Sequence, residues 1–481
     1  MFMYLPANLG MLPPVLAGMM HLRGKIMDRQ KEYSNCIKEA ACGDCQSNGF
    51  CRAWVEFVLL HSHDKFYAHF DKRVSLAMPS IRKYVMESQK IGIHSFYPFI
   101  HFTKTISRFG KRKPKVRELY YCSHLDRCVY QRYAFLLNQK YNEQVKGTVI
   151  DDAAIAYRDN LGRNNIDFAK AAFDAIKRKS SCIVIVGDFT DFFDSLDHQY
   201  LKTMLCSLLE VKKLPQDYFA VFKNITRFAS WDWQILVEQS GHSLTERGIR
   251  TKLNKQDTIL SKAQFQQHKA SIKKNNLSRG IPQGSPISAV LSNIYMLEFD
   301  KEISDYVLQR NGVYMRYSDD FLIVLPYESE QKTREQEKLI FSQVDKIDGL
   351  DLQKEKTAVY ICNNGSITEF SSKELSSIDY LGFVFDGTNI KIRPKAITKY
   401  YYRMRRKARN IGRNDWQSPK GKRISAQNLY NIYAGSGEQQ TFIDYAKRAK
   451  QTLKINDKEA DALIKHHKRK IAHAIKSGQK K

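Results

Sequence analysis

Apolar positions in this chain fall into short runs cut by carboxylates. The clearest case is YMRYSDDFLIVL, Tyr314 to Leu325. Val313–Tyr317 and Phe321–Leu325 predict two buried strands joined by a tight turn at Ser318–Asp320. A second run, CIVIVGDFTDFFDSLDH from Cys182 to His198, is continuously apolar over Ile183 to Val186, as expected of a strand covered on both faces. Gly187 and Asp188 follow at once, then Phe192, Phe193 and Leu196 at helical spacing. In SRGIPQGSPISAVLSNIYM, Ser278 to Met296, Gly280, Pro282, Gly284 and Pro286 exclude regular structure up to Pro286, and Val290, Leu291 and Ile294 predict a helix after it. LQKEKTAVY sets Lys356 after a charged turn and before an apolar strand, and DYLGFVFDG, Asp379 to Gly387, reads as an apolar hairpin.

On a coarser scale, residues 27–110 read as helical, with the amphipathic stretch Cys51–Phe70 and no strand signal. Residues 111–390 alternate short apolar runs with helices, the pattern of an α/β or α+β catalytic body. His242 to Asn276 has 8 Lys and Arg against 2 Asp and Glu and few large apolar residues, so it is expected to be a surface insertion. Residues 391–481 are helical and basic, and no internal repeat is visible.

Charge sharpens this picture. The 481 residues carry a formal +28, and residues 391–481 alone hold 25 Lys and Arg against 6 Asp and Glu, a net +19. Such an excess calls for a polyanionic partner, most often nucleic acid, with a membrane surface as the other reading. No run of 18 apolar residues is present, which argues against a membrane-spanning helix. The first 26 residues lack the basic start of a signal peptide and contain three prolines, and translation from Met27 stands as an alternative to Met1. Nine cysteines at mixed spacings fit reduced thiols in a cytoplasmic protein.

Adjacent aspartates at the tip of a buried hairpin need a counter-charge, because a buried unpaired charge costs several kcal/mol. If the hairpin lies beside the Asp188 strand, Asp188 and Asp319 converge, and divalent cations offset the repulsion. Mg2+ takes oxygen ligands and shares them with substrate phosphates. Gln283, beside a glycine that permits close backbone approach, can hydrogen-bond to a base or sugar. Lys356 can protonate or neutralise a leaving pyrophosphate, although a surface lysine is the default reading.

Taken in order, these segments resemble a reverse transcriptase: motif A at Asp188–Asp194, motif B at Arg279–Pro286, motif C at Tyr317–Asp320, motif D around Lys356 and the primer grip at Tyr380–Phe383. Each motif is weak alone, and five in order are strong. The resemblance spans about residues 90–410 and implies an α+β right-hand polymerase with fingers, palm and a helical thumb. It implies a 3′-hydroxyl attack on the α-phosphate of a dNTP, with two Mg2+ ions, Mn2+ being a substitute. The metal-binding residues would be Asp188, Asp319, Asp320 and the backbone carbonyl of Phe189. KVRELYYCSHLDRCVYQRYAFLLNQKYN and AYRDNLGRNNIDFAKAAFDAI resemble finger segments, which makes Arg117, Lys115 and Arg158 the candidates for the triphosphate. Phe193, five residues after Asp188, would be the steric gate against a ribose 2′-hydroxyl, and Tyr380, Leu381 and Gly382 the primer grip. Arg403, Arg405 and Arg406 would track a duplex backbone in the thumb, with Tyr400, Tyr401 and Tyr402 either stacking on bases or packed.

The Arg-Pro-Leu-Gly-Ile-Pro segment usual in group II intron maturases is replaced by RELYYCSHLDR, Arg117 to Arg127, and Ser318 stands where retron enzymes commonly have Ala. HSFYPFIHF, AYRDN and FKNITRFASWDW look most like the unclassified bacterial enzymes, including abortive-infection and phage-defence members. That grouping implies an RNA template, often a small structured non-coding RNA encoded nearby, a DNA product that is repetitive or near-homopolymeric in some members, and self-priming in others. Homo-oligomerisation stays open. A retron- or intron-type enzyme is the alternative in kind, and an RNA-binding scaffold with an unused site the alternative in class. Cys36, Cys42, Cys45 and Cys51, with His61, His63 and His69, invite a zinc reading, but only Cys42–Cys45 has a usual ligand spacing, and free thiols are favoured.

Overall fold

The computed structural model describes residues 48–61, 65–106, 114–417, 423, 425–434 and 441–479. Met27, Cys36, Cys42, Cys45 and His63 lie outside the described residues. The strands, in chain order, are β1 (Phe99–Ile106), β2 (Lys115–Tyr121), β3 (Ser181–Asp188), β4 (Ala229–Asp232), β5 (Lys273–Lys274) and β6 (Val313–Tyr317). They continue with β7 (Asp320–Pro326), β8 (Ala358–Asn363), β9 (Ser366–Glu369), β10 (Ile378–Tyr380), β11 (Phe383–Phe385) and β12 (Ile390–Ile392). The chain divides into two compact units. One holds residues up to 162, 189–305 and 340–353, and the other holds 163–188, 306–339 and 354–481.

In the first unit, a four-stranded sheet runs in the order β2-β1-β4-β5. β1 corrects the helical reading of residues 27–110: FIHFTKTI alternates, and it pairs antiparallel with β2 from Ile100↔Tyr121 to Ile106↔Lys115. A local amphipathic pattern could not reveal this, because the partner strand lies further along the chain. The helix expected over Cys51–Phe70 ends at His61, and Ala68 and Phe70 instead enter a core with Ile100, Trp231 and Leu236. That same core receives Leu253, Ile259 and Leu260, so the basic 242–276 segment is not a loose insertion. Its few apolar residues are the ones that dock, and Arg250 stacks over Phe102 and Trp233.

The second unit is built on a five-stranded antiparallel sheet, β6-β7-β3-β8-β9. β3 is central and apolar because it is hydrogen-bonded on both edges, to β7 and to β8. Ile183, Val184 and Ile185 are completely buried, each worth about 1.5–3 kcal/mol. Register is fixed by a steric fit: Gly187 pairs with Phe321, and the Phe321 ring lies where a Cβ on residue 187 would be. A second sheet, β10-β11-β12, leads into the basic helix Pro394–Arg413, which starts with proline in its first turn. Ile397, Tyr400, Met404 and Ala408 are its buried stripe. It packs along the helix Lys458–Gln479, where Gly412 abuts the Ile475 carbonyl and Gly478 the Arg409 carbonyl, so a side chain at either glycine would overlap backbone. No helix among the described residues is long and apolar enough to cross a membrane.

The Gly187–Phe321 fit gives a direct test. Gly187→Ala should destabilise the protein by about 2 kcal/mol, the usual cost of overfilling a packed site. Adding Phe321→Leu should recover part of the loss in melting midpoint; no recovery would mean that the ring does not set the fit.

Candidate active site

The site is assembled by strand register. β3 ends at Asp188, and its pairing with β7 sets Asp188 directly opposite Asp320. Residues opposite one another in an antiparallel pair share a face of the sheet. The β6–β7 hairpin closes on the Tyr317↔Asp320 pair, so the turn is only Ser318–Asp319, one residue shorter than expected. Ser318 takes a left-handed φ of 63°, unusual for a residue with a side chain. The hairpin therefore lies beside the Asp188 strand, the condition on which the sequence reading of the site depended, and brings all three aspartates to one end of the sheet.

Lys356 arrives from the other flank. It ends the short helical turn Lys354–Lys356 just before β8, and its ammonium pairs with Oδ2 of Asp188. This is closer to the carboxylates than a default surface lysine would come. Asp319 and Asp320 are both half-buried. Burial holds the Asp319 carboxyl above its ordinary range, and the Asp188 charge adds to the shift. Asp320 is pushed up to about 7, first by burial, then by the charges of Asp319 and Asp188, against the pull of Lys356 and Arg393. Among the described residues, no three potential ligands are already closed on a single point. Asp188 is paired with Lys356 instead. Three carboxyl groups at one end of the sheet, two of them with proton affinity raised first by burial and then by neighbouring charge, fit the needs of a divalent cation.

Beneath the turn lies Arg316, fully buried, donating from Nη1 to the Ser318 carbonyl at 3.0 Å. The only signal for it in the sequence is a charged residue within an apolar strand. The predicted primer-grip segment is a two-residue hairpin turn, with Leu381 at φ 49° and Gly382 at φ 94° between the paired Tyr380 and Phe383. Tyr380 itself is buried, its hydroxyl unpartnered and held protonated by burial and by the neighbouring Asp320 charge. Its side chain therefore offers no surface to a primer, and contact from this segment has to come from the turn. In the basic helix, Arg403, Arg405 and Arg406 are exposed. Tyr400 is packed, donating to the Tyr433 carbonyl at 2.6 Å, and Tyr401 accepts from Lys470 at 2.6 Å, which leaves Tyr402 as the exposed ring of the three.

The first unit carries the predicted nucleotide residues. The Ser278–Ile281 stretch is stitched to the segment 193–198: Ile281 donates to the Phe193 carbonyl at 2.9 Å, Gly280 to Leu196 at 2.8 Å, and His198 to Ser278 at 2.8 Å. Gln283 in turn accepts from the Tyr120 backbone at 3.0 Å. Phe193, Gln283 and β2, which carries the exposed Arg117, are thus held in one frame. Lys115 opens β2 opposite Ile106. Gly284 serves a different purpose from the one expected: with φ 123° it lets the loop pass against the Tyr120 carbonyl, where any Cβ would collide. Phe189 is buried and stacked on Phe192, and its backbone forms an isolated bridge with Leu352. Asp194, which the sequence did not single out, is pushed up to about 6 by burial, then by Asp191 and Glu118.

Arg158 does not belong with these residues. Its side chain is fully buried and spends its donors on Asn142 Oδ1 at 2.9 Å, the carbonyls of Asp151 and Ala154, and Asp151 Oδ1 at 2.6 Å. A guanidinium clamped this way braces its own loop and has no reach to a triphosphate.

Comparison with known proteins gives a family and distant structural likenesses. The family model described as Reverse transcriptase (RNA-dependent DNA polymerase) matches residues 111–385. Telomerase from Candida albicans, solved with a TWJ fragment of telomeric RNA, is similar with a TM-score of 0.36 and 12% identity, covering 88% of this chain and 71% of that one. Apo telomerase from Candida tropicalis gives 0.38 and 11%, covering 90% and 71%. Neither likeness is close enough to carry function across. A search of curated proteins finds no match.

The raised Asp320 carboxyl has a defined sign. A folded value of about 7 against an unfolded one near 4 means that stability present below pH ~4 is lost as pH rises to ~7. In metal-free protein, Asp320→Asn should therefore raise the melting midpoint, and by more at pH 8 than at pH 5. Added MgCl2 or MnCl2 should stabilise the unmodified protein more at pH 8 than at pH 6, because below pH ~7 the cation must displace a proton. Thermal melts with and without chelator measure both effects, and a pH-independent response would contradict the coupling.

Proposed function

Because this chain belongs to the reverse transcriptase (RNA-dependent DNA polymerase) family, we propose that it extends DNA from dNTPs on an RNA template with two Mg2+ ions at Asp188, Asp319 and Asp320. The observation that carries the assignment of residues is the β3–β7 register, which sets Asp188 opposite Asp320 with Asp319 in the adjoining turn. A bound metal pair would supply charge stabilisation to an in-line phosphoryl transfer. The protein's own residues hold and orient. The three carboxylates would hold the cations, and Lys356, placed beside Asp188, would be positioned to neutralise the departing pyrophosphate. Gln283 and Phe193, held through the backbone in one frame, position the incoming nucleotide, with Arg117 on its phosphates. The exposed Arg403, Arg405 and Arg406 supply sequence-independent contacts to the duplex.

The biological role we propose is anti-phage defence, by copying a small structured non-coding RNA that stays with the protein. Two features support it: the resemblance of HSFYPFIHF, AYRDN and FKNITRFASWDW to defence-type enzymes, and a formal charge of +28 suited to retaining RNA. The protein expressed with its native flanking DNA, purified and given Mg2+ and labelled dNTPs alone, should yield DNA copied from a retained RNA. Synthesis that appears only with an added primer–template would overturn the dedicated RNA. Product covalently bound to the protein would establish self-priming.

Asp319→Ala with Asp320→Ala should abolish incorporation while RNA binding persists, measured by extension and filter binding in parallel. Wild-type synthesis by that variant would remove these residues from the chemistry. Phe193→Val should admit ribonucleotides, read as a fall in the dNTP-over-rNTP ratio of kcat/KM; unchanged discrimination would dismiss the gate.

A further inference from the structure

We propose that Asn165 is a positioning residue for the primer strand, locking the Leu381–Gly382 turn to the helix Phe442–Leu453. The proposal rests on the primer-grip reading of that turn. Asn165 is the first residue of the helix Asn165–Lys177, and its place is fixed by a complete capping box: the Asn164 side chain accepts from Ile166 at 2.9 Å, and the Asp167 side chain accepts from the Asn164 backbone at 3.0 Å. From there the Asn165 amide Nδ2 donates to the Leu381 carbonyl at 3.0 Å and to the Tyr445 hydroxyl at 3.0 Å. The carbonyl contact settles which end of the amide is nitrogen, since only the NH2 group can donate. Its Oδ1 is left buried without a partner. Leaving a buried acceptor unsatisfied is costly, so the side chain is better explained by its two donated bonds than by packing.

The rest of the turn shows the same design. The Gly382 carbonyl accepts from the backbone of Arg393, directly before the basic helix, and Arg393 Nε donates to Asp379 Oδ1 at 2.7 Å. Both carbonyls of the two-residue turn are therefore committed inward. Among the described residues, nothing accepts from the N–H groups of Leu381 and Gly382. Two successive N–H groups at positive φ form a small concavity suited to an anionic oxygen. Tyr445 lies over the turn, 3.7 Å from where a Gly382 Cβ would be, and stacks on Phe383 and Phe442. Asn165 thus ties the turn with its unpaired N–H groups to a helix of the same basic C-terminal region that carries Arg403, Arg405 and Arg406. A strand phosphate on the turn and the duplex on the basic helix are then set in one register.

The test is single-encounter primer extension with an excess of trap. Asn165→Asp is nearly isosteric, lacks both donors, and keeps a helix-favouring residue in the first turn. It and Asn165→Ala should each shorten products and raise the KM for primer–template by about tenfold, the scale of one or two lost hydrogen bonds. The KM for dNTP should stay unchanged. Tyr445→Phe should act in the same direction, and with Asn165→Ala should be less than additive. A purely structural role would lower stability without this split between primer and dNTP. Gly382→Ala, strained at φ 94°, perturbs the turn itself. If it shortens products while both Asn165 variants extend like the wild type, the positioning role is overturned and the primer-grip reading stands. If Gly382→Ala also extends like the wild type, the primer-grip reading falls and the inference falls with it.

Discussion

Three carboxylates must be held together against their own repulsion, and much of the second unit answers that demand. Two such charges roughly 5 Å apart repel by about 3 kcal/mol at an effective dielectric near 20. Side chains alone would drift apart, so closeness is imposed by backbone: Asp188 is the last residue of a strand hydrogen-bonded on both edges, and Asp320 is its register partner. The burial of Ile183, Val184 and Ile185 supplies more free energy than the repulsion removes. Lys356 and Arg393 then temper the field, without extinguishing it. An Asp320 carboxyl pushed up to about 7 and a lysine paired with Asp188 are the outcome of that balance.

The parts of this site that were legible in the sequence are those in which one short segment carries both the fold signal and the chemistry. Apolar runs ended by Asp188 and interrupted by Asp319–Asp320 could be read because strand burial and carboxylate placement coincide there. Lys356 was weaker, since nothing nearby in sequence names its partner, 168 residues away. Arg158 misled for the converse reason. A basic residue in a polar loop looks available until Asn142 and Asp151 are seen to enclose it. Asn165 and Arg316 gave no usable signal, because an amide or a guanidinium acquires its meaning only from carbonyls brought to it by folding. The strand β1 and the docking of Leu253, Ile259 and Leu260 were missed likewise, since both depend on distant apolar partners.

The two units use different means to hold residues in place. In the first, Phe193, Gln283 and β2 are fixed through main-chain hydrogen bonds, so their side chains are not needed to hold the frame. In the second, side chains do the fixing: Asn165 on the turn, Arg316 on the hairpin, Phe321 on Gly187. Side-chain substitutions should accordingly disturb local geometry less in the first unit than in the second.

The seam between helices Pro394–Arg413 and Lys458–Gln479 has a mechanical meaning. Gly412 and Gly478 let backbone rest on backbone, and each glycine sits over a carbonyl of the opposite helix. A slip of one turn along the seam would bring Ala408 or Ala474 into a gap that admits no Cβ. The pair therefore has a single notch, like a detent, and cannot creep under load. The two helices thus act as one stiff strut, and a displacement applied to either is passed whole to the other.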